Sequence, residues 1–235
     1  YIMKEKFRNF QRKVFHEMLK LAEEFSIPVI IHSRGTSVEI AGILTSYNLK
    51  RVLFHWFSTP RELLPKLVER GYTDSFFGNI SFKIGDEVWI TKSGAPLDEL
   101  EDDSFVLLQN PPLSESSSES PTHIKIYQEF DVSSVIHVHP FYCVLCSMVF
   151  QEDFVESRTE GRIFLKKIAF CEGKAGSWEL ANSVVQSLRR FDTTAVVARG
   201  HGLFCIGSSI DDAYLRCVVA ENECKLWYHC NLFPP

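Results

Sequence analysis

From its N-terminus the chain first repeats a helical rhythm. Phe7, Phe10, Val14, Phe15, Met18, Leu19, Leu21 and Ala22 recur at helical spacing, which predicts an amphipathic helix over 5–25. IPVIIHS then reads as a short buried strand, 36–47 as a second helix and RVLFHW as another strand. This is β-α-β order, the unit of a parallel sheet. A helix over 60–70 follows, with Gly71 as its C-terminal stop and Pro65 near its first turn or kinking it.

Beyond Gly71 the apolar runs shorten and crowd together. GNISFKI, DEVWITK, SFVLLQ and SSVIHVHP are separated by turn-prone stretches, which predicts hairpins in an antiparallel or mixed sheet. NPPLSESSSESP (110–121) reads as a polar surface loop before a helix over THIKIYQEF. YCVLCSMVF is expected to be a buried helix, SWELANSVVQSLRRF an amphipathic one, and TTAVVARGHGLFCIG a hairpin turning through GHG. A long C-terminal helix begins at IDDAYL, with Asp211 and Asp212 in its first turn. The pattern assigns no element to 151–176.

Composition narrows the function. With 235 residues, 45% of them hydrophobic, the chain has enough to bury a full core. Net charge is −5 and the 25 Lys and Arg are scattered, so no basic stripe points to nucleic acid or an anionic membrane. The seven Cys sit within apolar strands and helices, which suits reduced thiols and a cytoplasmic location. No apolar run approaches the ~18 residues of a membrane span, and no secretory signal pattern opens the chain.

The candidate chemistry begins at HVH. Side chains at i and i+2 of a strand share a face, so His137 and His139 can reach one ion, with Val138 turned to the opposite layer. An isolated H-x-H also occurs as two polar residues on a wet strand. Catalytic zinc usually takes three protein ligands, and His201 between Gly200 and Gly202 is the best third. Three small-residue turns add a possible anion site: Gly78 and Asn79, Ser93 and Gly94, and Ser117 and Ser118 before Glu119. Hydroxyls and backbone N–H groups at such turns suit phosphate oxygens.

The order GNIS, ITKSG, SSE with His123 four residues on, HVHP, and RGHGLF before a DAY helix resembles the class II aldolase/adducin family over about residues 60–232. The resemblance implies a three-layer α-β-α fold with a largely antiparallel central sheet, assembled as a homotetramer. It also implies one zinc ion per subunit on His137, His139 and His201, with Glu119 as catalytic acid/base. Gly78, Asn79, Ser93, Gly94, Ser117 and Ser118 would hold the substrate phosphate. The expected reaction is retro-aldol cleavage of a ketose 1-phosphate to dihydroxyacetone phosphate and an aldehyde, with zinc as the Lewis acid. Dehydratases and epimerases on the same fold are the alternative. Ser75, Phe76 and Phe77 depart from the family's glycine-rich first loop and make it bulkier.

Residues 1–59 resemble a fragment of TatD-type metal-dependent hydrolases, β/α barrels acting on DNA or related phosphodiesters. His32 and His55 match two of that family's metal-binding histidines, but the upstream H-x-H, the strand-end Glu and a correctly spaced Asp are absent. Two strands cannot close an eight-stranded barrel. The expectation is therefore a β-α-β fragment of barrel type at 1–59, with exposed apolar faces, followed by an aldolase-like domain at 60–235. A TatD-like phosphodiesterase is the alternative function.

Overall fold

The structure, a computed structural model, describes residues 5–32, 37–55, 60–156 and 158–232. It divides into two compact units, Tyr1–Phe57 and Ser58–Pro235.

The first unit runs α1 (Glu5–Glu24), β1 (Val29–His32), α2 (Ser37–Leu44) and β2 (Val52–His55). The two strands pair in parallel, with His32 opposite His55 in the ladder. The side chains of both histidines lie outside the described residues. On α1, Leu19 and Ala22 are buried, but Phe7, Phe10, Val14, Met18 and Leu21 are exposed. A two-stranded fragment has too little surface to cover the apolar stripe that the helical pattern encodes.

The second unit opens with α3 (Pro60–Glu69), which holds Pro65 within it, and then β3 (Asn79–Ile84), β4 (Glu87–Thr91) and β5 (Phe105–Leu107). Next come α4 (Ser120–Glu129), β6 (Ser134–Val138), α5 (Phe141–Val149), β7 (Phe154–Glu156), α6 (Thr159–Phe164) and β8 (Lys167–Cys171). It ends with α7 (Trp178–Arg190), β9 (Ala195–Ala198), β10 (Gly202–Gly207) and α8 (Ile210–Leu232). Eight strands form one sheet in the order β5-β4-β3-β6-β10-β9-β8-β7. Every pair is antiparallel except β8 with β9.

Every residue of β6, β9 and β10 is buried, so helices cover the sheet on both faces. Alternation along β10 sorts the layers. Phe204 and Ile206 join Val135 of β6 in a core with Leu180, Val184 and Leu188 of α7 and Ile126 of α4. The intervening residues face α8, where Ala213, Cys217, Ala220 and Cys224 form a stripe of small buried side chains. Small residues let that helix lie close to the strands: a Cβ on Gly207 would sit 2.5 Å from Ala213 N. The expected three-layer, largely antiparallel architecture is the one that forms.

Two segments differ from the sequence pattern. Residues 151–176 hold β7, α6 and β8, including a member of the sole parallel pair in the sheet. Helix α5 buries Cys143, Cys146 and Ser147 but exposes Phe141 and Met148, so it lies on the sheet rather than inside the core. Six of the seven cysteines are buried and free, and Cys230 is exposed. No helix among the described residues is long and apolar enough to cross a membrane.

Candidate metal centre

Strand β6 holds His137, and His139 follows one residue past its end. The β9–β10 turn brings His201 beside them. Gly200 adopts a left-handed φ of 64°, and His201 N–H closes the turn on Ala198 O at 3.0 Å. The ring centroids of His137, His139 and His201 are separated by 4.9, 4.8 and 5.3 Å, and one ligand atom from each lies within 4.8 Å of the others. Among the described residues, this is the one group of three or more His, Cys, Asp or Glu gathered in this way.

The rings are held in a form that suits a cation. His137 is 1% exposed, and its Nδ1 lies 3.1 Å from Leu203 O. A carbonyl only accepts, so Nδ1 carries the proton and Nε2 presents a bare lone pair. That Nε2 stands 3.0 Å from His139 Nε2. Two nitrogens on one tetrahedral zinc, each about 2.0–2.1 Å from it, lie roughly 3.4 Å apart. His201 Nδ1 is buried and has no hydrogen-bond partner among the described residues. Burial, then the neighbouring rings, holds His137 far below the usual imidazole range; the same causes lower His139 to about 4, and burial lowers His201. Neutral imidazoles with converging lone pairs fit a divalent cation, because binding one requires no proton to be removed from them first.

Phe204 forms the wall behind the triad. Its ring stacks on His137 with centroids 4.0 Å apart and meets His123 of α4 edge-on at 6.5 Å. Gly202 supplies space rather than a special backbone angle. A Cβ there would lie 2.4 Å from His139 Cδ2 and 2.7 Å from His137 Cε1. Sequence spacing suggests only that this glycine helps the turn.

Glu119 stands at the N-cap of α4 and is 3% exposed. Oε1 accepts the Gly176 N–H at 2.7 Å, and Oε2 accepts the Thr122 hydroxyl at 3.4 Å. Burial raises this carboxyl above its ordinary range, while the Gly176 and Thr122 donors pull it back. Its Oε1 is 3.7 Å from His201 Nε2. With His201 neutral, that is proximity rather than an ion pair. Gly176 lies in the segment where the sequence offered no site residue, and nothing in its local pattern marks it.

The candidate phosphate residues gather at the same end of the sheet. Asn79 pairs with His137 across the β3–β6 ladder, and the β3–β4 register continues towards Lys92, which bridges to Ser116. Asn79 is buried and its Oδ1 has no hydrogen-bond partner among the described residues. Gly78 has φ 109°, and a Cβ there would lie 2.6 Å from His137 O. Ser93, Gly94 and Ser118 are exposed, while Ser117 is buried. The backbone offers less than the sequence suggests: Ser93 N–H is engaged by Glu115 O, Ser117 N–H by Thr91 O and Ser120 N–H by Ser117 O. Pro121 has no N–H, so the start of α4 presents hydroxyls more than free amides. The bulky pair before Gly78 turns outward. Phe76 and Phe77 are both exposed, and Phe77 stacks on His139 with centroids 6.2 Å apart.

His123 is fully buried, with Nδ1 2.6 Å from Ser81 Oγ, which in turn meets Tyr127 OH at 3.0 Å. Burial lowers its pKa to about 3. The unfolded chain therefore binds a proton near pH 6.5 that the folded protein refuses, and stability is lost as pH falls from 6.5 towards 3. Between pH 6.5 and 5.5 this histidine is expected to cost about 1 kcal/mol. In urea unfolding, His123→Gln is expected to flatten the pH dependence by that amount; parallel curves would refute the assignment.

Residues 62–228 match the Class II Aldolase and Adducin N-terminal domain. The chain belongs to the class II aldolase/adducin family. Residues 1–100 also match the TatD related DNase family. Within the aldolase/adducin family, the chain is 32% identical over 167 residues to an L-fuculose phosphate aldolase of Methanocaldococcus jannaschii, covering 68% of this chain and 89% of that protein. It is 26% identical over 188 residues to a methylthioribulose-1-phosphate dehydratase of Xenopus tropicalis, covering 67% of this chain and 79% of that protein. The crystal structure of L-fuculose-1-phosphate aldolase from Thermus thermophilus superposes with a TM-score of 0.67 at 26% identity, covering 73% of this chain and 92% of that one. The protein is a metal-dependent enzyme of the class II aldolase type.

Proposed function

We propose that the protein is a zinc-dependent lyase that cleaves a ketose 1-phosphate by retro-aldol chemistry into dihydroxyacetone phosphate and an aldehyde. The observation that carries this reading is the convergence of three neutral imidazoles, His137, His139 and His201, beside the buried carboxyl of Glu119. A divalent cation held by His137, His139 and His201 supplies Lewis-acid polarisation of a substrate carbonyl. Glu119 carries the proton to or from the carbon next to that carbonyl. A carboxyl raised by burial suits the task, because its proton is then held closer to neutral pH. Gly78, Asn79, Ser93, Gly94, Ser117 and Ser118 hold the phosphate and orient the carbon chain, with the Ser93, Ser117 and Ser118 hydroxyls and the Asn79 side chain as the available polar groups.

The likeness to a methylthioribulose-1-phosphate dehydratase supports a second reading on the same site. Loss of water from a ketose phosphate would use Glu119 at the same carbon in the opposite sense, taking the proton from the carbon next to the carbonyl where cleavage delivers one, and breaks C–O rather than C–C. By family resemblance the working form is a homotetramer, and the buried free thiols suit a cytoplasmic location. We assign residues 1–59 to a TatD-type barrel fragment and 60–235 to the aldolase-like domain.

The test is a screen of phosphorylated ketoses for release of dihydroxyacetone phosphate, with and without chelator. Cleavage that chelator abolishes and added zinc restores is the expected result. Water loss without cleavage selects the dehydratase. Chelator-resistant cleavage overturns the metal reading, and nuclease activity lost on His55→Ala but retained on His137→Ala would move the function to the first unit.

A further inference from the structure

Helix α5 is held at its two ends by side chains of opposite charge, and both ends lead to the metal centre. The helix starts two residues after His139, with Pro140 as its N-cap. Glu221 of α8 is buried; its Oε1 accepts Tyr142 N–H and its Oε2 Cys143 N–H, each at 2.9 Å. Two of the orphan donors of the first turn are thereby satisfied by a group of the favourable sign.

Arg199 does the converse at the other end. Its Nη1 donates to Ser147 O at 2.5 Å and Phe150 O at 2.8 Å, and its Nη2 to Glu152 O at 2.6 Å and Gln151 O at 3.5 Å. The guanidinium also lies 5.0 Å from the Phe170 ring centroid and reaches Glu172 Oε1 only at 4.0 Å. Gly200 N–H adds a bond to Ser147 Oγ at 3.1 Å. Arg199 stands two residues before His201, so the turn that carries one imidazole is fastened to the end of the helix that begins at another. A planar fork with five donors can hold several diverging carbonyls at once; a lysine ammonium cannot do so in the same fixed geometry.

We propose that Arg199 is a positioning residue: acting through α5, it sets the separation of His139 and His201 and so closes the imidazole triad. The proposal rests on the metal reading of that triad. Without the Arg199 side-chain bonds and the Ser147 bond, the turn keeps the β9–β10 ladder and the bond from Arg199 N–H to Cys171 O of β8, which fix its height on the sheet but not its lean towards His139.

The test is titration of the full chain with Co²⁺, which fills a three-histidine site and reports its geometry through its visible absorption bands. Arg199→Ala is expected to bind Co²⁺ about 10–100-fold more weakly, with altered bands, while still melting cooperatively. Arg199→Lys should recover part of the affinity. Ser147→Ala, which deletes the Gly200 bond and the hydroxyl's bond to Val144 O within the helix but leaves the Arg199 bonds in place, should show a smaller change in the same direction, and it decides the matter if Arg199→Ala does not fold. Wild-type affinity and bands in the folded variants overturn the proposal. So does weaker binding with unchanged bands that merely tracks a lowered melting temperature. Wild-type protein that takes up no Co²⁺ overturns the metal reading itself, and this proposal with it.

Discussion

Replacing Glu119 with Gln is expected to reduce turnover by about 10²–10⁴-fold, the usual contribution of a positioned general acid/base, while leaving metal content at the wild-type level. The substitution is nearly isosteric. A glutamine carbonyl still accepts the Gly176 N–H that now reaches Oε1 at 2.7 Å, and its amide can donate to the Thr122 hydroxyl, which rotates to accept. Neither the start of α4 nor the imidazoles therefore need to move. What is lost is the group that can gain and release a proton, a carboxyl that burial raises above its ordinary range. Steady-state kinetics on whichever phosphorylated ketose the screen identifies, paired with zinc analysis of both proteins, separates the two roles. Turnover within about threefold of wild type would remove Glu119 from the chemistry. Loss of zinc with turnover would instead make it part of the metal site.

The parts of the protein legible in sequence are those written in local pattern. His137 and His139 share a face because strand alternation requires it, and the central strands read as continuous apolar runs because helices cover them on both sides. The helical stripe of α7, with Leu180, Val184 and Leu188 turned inward, is equally plain. Partners brought together from distant segments left no such mark. The Gly176 amide is one among many, and only the fold carries it to Glu119, 57 residues away. Leu203 contributes a carbonyl, which every residue possesses. The α1 stripe was legible as amphipathic, yet its burial depends on covering surface that two strands do not supply. Residues 151–176 hid β7 and β8 because those strands are short and their burial is set by neighbours in the sheet.

Gly202→Ala should abolish high-affinity metal binding, although it adds only a methyl group. The position has no left-handed φ, so the backbone itself accepts an alanine. The obstacle is what the methyl meets. His139 Cδ2 would be 2.4 Å away, His137 Cε1 2.7 Å and the Val138 carbonyl 2.8 Å. None of the three can give way cheaply. Val138 O is backbone in the middle of the sheet, and His137 is fixed between its bond to Leu203 O and the face of Phe204. His139 is thus the ring that swings, away from a partner whose Nε2 it now meets at 3.0 Å. A ligand displaced by an ångström no longer shares the ion, so metal affinity should fall by at least the ~100-fold that loss of a supporting contact alone can cost. Overpacking would add a stability cost of about 1–3 kcal/mol. Gly200→Ala is the contrasting substitution: it meets nothing closer than Met148 at 3.8 Å but must hold a φ of 64°. It should lower the melting temperature through backbone strain while retaining more of the metal. Zinc analysis and thermal melts of the two variants side by side distinguish crowding of the imidazoles from strain in the turn. A Gly202→Ala protein that keeps its full complement of zinc would mean that the rings do not converge beside this glycine.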